Sequence, residues 1–414
     1  MKSAYDSVND KIVIIYEDDN NSSYSTAIVG TVSGSSISFG TSVVYSSGAS
    51  NANDIAFDEN AEAMVILWRD GTSSNHCSAI VGTVSGSSIS FGTKLVVDNT
   101  GTTYHQNLAY DTNAQKMLLL WAKTNGQMFA AVGTVSGTSI TKGTTNQWDN
   151  GDTIAVAYDA NAQASAVFFR DSNNSYYGSS RVLTISGTSV SAGGLTVYES
   201  AVANSNIAAY DATAQKVVVF YRDGGNSFYG TACVGTISGT SISFGTPVAF
   251  TSAGISYLAP SYNAQAQKIF VAFDEDPNDY LAYVLGTVSG TSISFNASTT
   301  AQSVHVNFIS TVYDSSNRAT VISYQDGDSA GDDGKALVYQ HAPSNSADFI
   351  GITDQAIADT ATGAVIVQGG VSENVTGLTT GSDYYVQDNG TLSTTVSSAP
   401  AGRALSSTSI LLEG

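Results

Sequence analysis

Seven positions, 48 to 53 residues apart, carry groups that could bind an ion or a sugar or move a proton. They are Asp18, Asp70, Lys123, Asp171, Asp223, Glu275 and Asp326, and Arg69, Arg170 and Arg222 each stand one residue before an acid. A ring of such acids on one face would suit a glycan or calcium. The same acids, each opening a polar loop, would also cap their own turns and pair with the neighbouring arginine, and this simpler role is the expected one. A glycosidase needs two carboxylates at a set separation. With 35 acids in the chain some close pair is inevitable, so their number points nowhere. His76, His105, His305 and His341 are scattered and show no metal-ligand spacing. The sequence has no nucleophile elbow, phosphate loop, dinucleotide fingerprint, EF-hand loop or sialidase-type Asp-box. A non-enzymatic protein is expected, with no cofactor and no dedicated metal site; calcium is the one ion the acids would suit.

The elements that position these groups repeat with them. Two residues before each comes an aromatic: Tyr16, Trp68, Trp121, Phe169, Tyr221, Phe273 and Tyr324. These rings would serve as a sugar-stacking platform or as packing between neighbouring sheets, and packing is expected because a ligand rarely needs seven copies. Further upstream lies Tyr5-Asp6, Phe57-Asp58, Tyr110-Asp111, Tyr158-Asp159, Tyr210-Asp211, Tyr262-Asn263 or Tyr313-Asp314. The Asp there suits an Asx-turn. Downstream comes the Gly30-Thr-Val-Ser-Gly motif, repeated from Gly82, Gly133, Gly235 and Gly286 and degenerate at Leu183.

The fifth copy shows the unit. Asn206–Tyr210, Val217–Tyr221 and Tyr229–Ser238 read as three strands. Gly239-Thr240 is a two-residue hairpin, and Ser241–Phe244 opens a fourth strand that Gly245–Phe250 continues or that leads to the next copy. No stretch has helical period. A repeat of about 50 residues with four strands and no helix predicts an all-β protein, a seven-bladed β-propeller. Its copies start near 3, 54, 107, 154, 206, 258 and 309, and it spans residues 1–343. The seventh copy loses the hairpin, so one blade is expected to stay three-stranded or to be completed by distant chain, with Ser346–Ile352 the best candidate. Residues 344–414 predict a small C-terminal β module for anchoring or oligomerisation. Its strands are Ala364–Gln368, Asp383–Gln387 and Ser409–Leu412, with an Asp388-Asn-Gly390 hairpin.

Where the copies differ is more informative. The loops between second and third strands vary in length and sequence while the framework stays constant, which is how binding folds are used. Tyr with Asn and Ser is the chemistry of adaptable recognition surfaces. The candidate ligand-binding residues on these loops are Asp18, Tyr24, Asp70, His76, Asp171, Tyr176, Asp223, Phe228, Tyr280 and Asp326.

Charged residues make up 12% of the chain, against about 25% in ordinary globular proteins. The net charge is -20 and no cluster of Lys and Arg interrupts it, which argues against a nucleic acid or an anionic membrane as partner. No apolar run has membrane-spanning length, and the chain enters its first strand without a secretory signal. Cys77 and Cys233 sit at different register positions and are expected to be buried free thiols, formed in a reducing compartment.

The stretch Tyr210-Asp-Ala-Thr-Ala-Gln-Lys-Val-Val-Val-Phe-Tyr-Arg-Asp-Gly-Gly-Asn-Ser227, with the Gly-Thr-Ile-Ser-Gly run after it, resembles repeats of virion proteins of marine bacteriophages. The ending, Gly377 to Leu392 and then Gly402 to Leu412, resembles C-terminal modules of phage tail and fibre proteins. The resemblance implies a structural protein of the virion surface, such as a tail fibre, spike or decoration, made in the host cytoplasm and released by lysis. It implies other virion proteins as partners of the C-terminal module, homo-oligomerisation, and a host surface glycan or protein as ligand of the propeller loops. The N-terminal attachment domain usual in fibres is missing from the sequence, which leaves attachment to the C-terminal module. The alternatives are a secreted bacterial lectin or adhesin and, third, a propeller glycosidase.

Overall fold

Strand chemistry dominates wherever the chain is described. The computed structural model describes all residues except 51–52, 330–332, 341–350, 354–363, 388–390, 396–398 and 414. Among the described residues there is no α-helix, and hence none long and apolar enough to cross a membrane. The chain divides into two compact units, Met1–Gln340 and His341–Gly414.

In the first unit each repeat folds as an antiparallel meander. The first repeat pairs Lys2–Asp6, Lys11–Asp18 and Tyr24–Ser33 in order. Its fourth strand is split: Ser36–Phe39 pairs with the end of Tyr24–Ser33, and Val43–Ser46 with its beginning. The sequence left open whether Gly245–Phe250 and its counterparts continue the fourth strand or lead onward, and the structure does both. Three of these segments run unbroken into the next repeat as Asn146–Asp159, Thr196–Asp211 and Thr299–Asp314. Each such strand turns between sheets at a bulge, marked by the positive φ of Thr153, Ser205 and Phe308 (51°, 52° and 48°).

The second strands form the core because both their faces are covered, which is why they read as continuous apolar runs such as Met117-Leu-Leu-Leu-Trp121. Each core cluster joins neighbouring repeats, as when Trp68 and Ile66 of the second pack with Tyr45 and Ile15 of the first. Trp68, Trp121, Phe169, Tyr221 and Phe273 have no exposed surface and Tyr324 almost none, so six of the seven repeated rings are packing residues; Tyr16 is half-buried. The first repeat also packs on the seventh. Ile12 and Ile14 meet Ala319 and Val321, and the Oγ atoms of Ser3 and Ser310 lie 2.8 Å apart. This junction is made by side chains; among the described residues no strand of the first repeat pairs with one of the seventh.

Two glycine positions show why the Gly-Thr-Val-Ser-Gly and Ser-Ile-Ser-Phe-Gly runs are kept. A Cβ at Gly30, Gly82 or Gly235 would collide with the isoleucine of the hairpin's second arm. The degenerate copy has Leu183 there, with the shorter Val190 in place of the isoleucine and Ala192 opposite. A Cβ at Gly40, Gly92, Gly143, Gly193 or Gly245 would strike the hairpin tip of the following repeat. Asn296 takes this place in the sixth repeat, whose successor lacks the Gly-Thr-Val-Ser-Gly motif in its sequence.

The Tyr-Asp landmarks close the turns between first and second strands. Asp58 Oδ1 accepts from the Asn60 and Ala61 amides, and Asp111, Asp159, Asp211, Asn263 and Asp314 act alike. The tyrosine reaches the previous repeat's turn. Tyr110 Oη accepts from the Asn60 amide at 3.1 Å, Tyr158 from Asn113 and Tyr262 from Thr213, while Tyr5 meets Ser316 at 2.8 Å.

In the second unit a sheet runs Val371–Ser372, Ile410–Leu412, Pro400–Ala404, Asp383–Val386, Leu392–Ser393. Its core holds Leu378, Tyr384, Val386, Ala401 and Ile410. The Asp388-Asn-Gly390 turn lies outside the described residues, but Val386 and Leu392 on either side of it pair. Most of Ser346–Ile352, expected to complete the seventh repeat, also lies outside them; its described end, Ile352, pairs instead with Ile366 in this unit.

Candidate functional site

One face of the first unit gathers the loops between second and third strands and the entries to the first strands. Thr103, entering the third repeat, donates its amide to Asn75 O in the second repeat's loop, and Val306 does the same to Asp279 O.

Four of these loops share one conformation. Counting from Asp18, Asp70, Asp171 and Asp223, the fourth and fifth residues are left-handed: Ser22-Ser23, Ser74-Asn75, Ser175-Tyr176 and Ser227-Phe228, all with φ between 53° and 62°. Left-handed backbone costs a non-glycine residue about 1 kcal/mol or more, and the acid offsets it by holding the loop from inside. Asp70, Asp171 and Asp223 accept from the amides of Thr72, Asn173 and Gly225 at 2.8–3.0 Å. Asn75, Tyr176 and Phe228 then donate their amides to the carbonyls of those same three acids.

The ten predicted residues therefore separate. Asp70, Asp171 and Asp223 are buried within their loops. Burial works against the Asp70 carboxylate, but Lys94 at 2.6 Å and the Thr72 hydroxyl prevail and hold its pKa at about 2. Asp326 caps its loop through the Asp328 amide, and Asp18 makes no such cap. Tyr24, His76 and Tyr280 begin third strands and are half-buried. Tyr176 and Phe228 stand out at the loop tips, 47% and 42% exposed. The expected pairing of each arginine with the acid beside it fails for Arg170, because neighbours on a strand point to opposite faces. Arg170 instead clamps Asp152 across the sheet with two 2.6 Å bonds and donates a third to Asn204.

The structure brings together residues that the sequence did not connect. The Arg170 guanidinium lies 5.1 Å from the Tyr176 ring, and Asp152 accepts from Tyr104 Oη at 3.4 Å. The exposed Tyr104 packs against His105, whose burial pushes its pKa down to about 4. In the next repeat the Arg222 guanidinium lies 4.2 Å from the Phe228 ring, and its buried Nε has no hydrogen-bond partner among the described residues. Phe308, 51% exposed, leans on Tyr257 at 5.3 Å. Tyr104, Asp152, Asn204, Tyr257 and Phe308 sit where first strands begin, in segments that in sequence look like mere connections. Their counterparts in other copies, such as Asn51, Ser256 and Asn307, are polar as well, so the sequence set only the aromatic rings apart.

A second concavity lies at the ends of the first strands. A cavity of about 240 Å³ is bounded by residues of all seven, among them Lys2, Asp54, Asn107, Ile154, Asn206, Ala259 and Ser310.

No protein-family model matches the chain, and no curated protein matches its sequence. Solved structures do resemble it. A protein from Lactobacillus plantarum matches with a TM-score of 0.52 at 12% identity, over 72% of this chain and 83% of its own. A Dyadobacter fermentans protein of unknown function matches with 0.48 at 10% identity, over 70% and 95%. A triple-arginine mutant of AofleA from Arthrobotrys oligospora matches with 0.47 at 9% identity, over 70% and 83%. At these identities the likeness concerns the fold alone, an all-β, propeller-like architecture.

Proposed function

We propose that the first unit is a closed seven-bladed propeller and that its loop face is a non-enzymatic recognition surface. Closure is supported by the packing of the first repeat on the seventh and by the cavity that all seven first strands border. Recognition is supported by one observation above others. Of the five exposed aromatics in the first unit's described residues, Tyr104, Tyr176, Phe228 and Phe308 share the loop face, and only Phe39 lies elsewhere. Arg170 and Arg222 back two of these rings. Flat apolar rings beside fixed hydrogen-bonding groups suit glycans and polar protein surfaces.

The biological setting that fits is the surface of a phage particle, with the loop face towards the host and the C-terminal unit towards other virion proteins. A bacterial lectin or adhesin would use the same face. Purified protein applied to an array of bacterial surface glycans and to intact host cells tests the recognition claim. Binding should fall at least tenfold in both Tyr176→Ala and Phe228→Ala; unchanged binding in both would remove the loop face from the argument. Mass spectrometry of purified particles tests the setting: peptides at a fixed ratio to the major capsid protein support it, and peptides found only in soluble or cell-surface fractions overturn it.

A further inference from the structure

Six of the seven junctions between consecutive repeats are closed in one way. The second half of the fourth strand carries a residue that points into the wedge between sheets: Tyr45, Val97, Trp148, Tyr198, Phe250 or Ala301. The large ones meet the next repeat's second-strand ring, as in Tyr45–Trp68 at 5.4 Å and Phe250–Phe273 at 5.1 Å. At the seventh junction no described residue does this. Tyr16 is left half-buried, beside a cavity of about 550 Å³ that Ile14, Phe39, Phe308 and Gly334 also line.

Gly334 indicates what the cavity takes. It holds the register of Gly178 and Gly230, where a side chain would collide with the rings of Tyr198 and Phe250. Where the wedge residue is small, that position is filled: Cys77 accompanies Val97, and Leu281 accompanies Ala301. Ser25 beside Tyr45 and Met128 beside Trp148 show that an aromatic does not require a glycine there, but the two glycines both accompany an aromatic. A glycine at 334, with only the tip of Met1 within reach, is thus the partner of an aromatic. Among the described residues no strand pairs with the outer edge of Asp333–Gln340, so backbone hydrogen bonds are on offer beside the cavity.

The chain's own fourth strand is poorly suited to this seat. Tyr339 stands where five of the other six repeats have the glycine that the hairpin's isoleucine covers, and the remaining one has the smaller Leu183. Counting as in the other six repeats, the wedge residue would be number 354, and Ile352 and Thr353 just before it pair with Val365–Ile366 in the second unit. The rim is acidic, with Glu17, Asp18, Asp19 and Asp333 against Lys335 alone. A second copy of a chain of net charge -20 would be repelled, and a basic segment attracted.

We propose that the junction between the seventh and first repeats is a strand-acceptor site for another protein. An extended segment pairs with the open edge of Asp333–Gln340, sets an aromatic side chain against Tyr16 and Gly334, and places a Lys or Arg near Glu17 and Asp18.

The test uses the full chain and a fluorescent peptide copying residues 246–253, flanked by lysines, with a second peptide in which Phe250 is replaced by serine. The phenylalanine peptide should bind at least tenfold more tightly than the serine peptide, and more weakly as salt rises. Gly334→Phe, which fills the seat from within, should abolish the difference without lowering the melting temperature; Tyr16→Ser is the second variant and should weaken binding several-fold. Equal binding of the two peptides overturns the proposal. Tighter binding by a Phe349→Ala chain would show the protein's own segment competing for the seat, and a dimer lost on Gly334→Phe would show a second copy there; either overturns the assignment to a partner.

Discussion

The two faces of the first unit solve opposite problems with the same repeat. On the turn face the copies agree. An Asp or Asn caps each turn, a tyrosine from the next repeat ties six of the seven, and glycines fit isoleucines and hairpin tips. On the loop face four loops share one conformation, kept in three of them by a buried acid, while the residue at the tip changes from Ser23 to Asn75 to Tyr176 to Phe228. Uniformity marks what holds neighbours together; variation falls on the side chains of Asn75, Tyr176 and Phe228, whose amides still bond the loop. The same acid type thus stays inside the loop in either case, and the exposed chemistry is left to whichever side chain the left-handed backbone carries outward.

Substitutions can break this contrast, the largest effects being expected on the turn face. Gly245→Val puts a side chain into the tip of the sixth repeat and should cost about 3 kcal/mol, measured as a shift of the urea midpoint, whereas Asn296→Gly should be nearly neutral. Asp211→Ala removes the buried cap of an otherwise exposed turn and should cost about 1–2 kcal/mol. Tyr262→Phe removes only the clasp and should cost about 1 kcal/mol; if it costs as much as Asp211→Ala, the tyrosine rather than the acid carries the turn. Tyr176→Ala and Phe228→Ala should stay within about 0.5 kcal/mol of the parent, since both rings already face solvent.

Acid titration sharpens the same contrast. Asp70 and Asp98 have folded pKa values held at about 2, below their unfolded values. Their stabilisation is therefore fully present above about pH 4 and is lost as pH falls through about 2. Lys94→Met should shrink the loss attributable to Asp70, read from unfolding curves across that window. His105 is shifted down to about 4, so its protonation opposes folding as pH falls from about 6.5 towards 4. His105→Gln should flatten the stability profile there; an unchanged slope would mean that the imidazole is as well solvated folded as unfolded.

The all-β meander, the Asx-turns and the packing role of the strand-two rings could all be read from the sequence, because each depends on residues a few positions apart. Trp121 announces itself as core by ending the run Met117-Leu-Leu-Leu. The divided fourth strand could not be read, because whether Val43–Ser46 pairs with Tyr24–Ser33 or moves on depends on the angle to the next sheet. The tyrosine clasps were hidden for a related reason: Tyr110 and its acceptor turn at Asn60 are one repeat apart. At the candidate site, Tyr176 and Phe228 were visible as loop variation, whereas Tyr104 and Asp152 join Tyr176 through Arg170, which reaches across its sheet rather than along its strand.

Asn296 has a bearing on how such a chain could have grown. Five repeats carry a glycine cut to fit the tip that follows, and the sixth carries the bulkier Asn296 before a repeat whose sequence lacks the Gly-Thr-Val-Ser-Gly motif. Each repeat is thus marked by its successor, and the copies are no longer interchangeable parts. Duplicating any of the first five would preserve a matching neighbour, but a copy inserted after the sixth would meet Asn296 with a hairpin it cannot seat. Repeat number in this lineage is therefore free to change within the array and locked at its end.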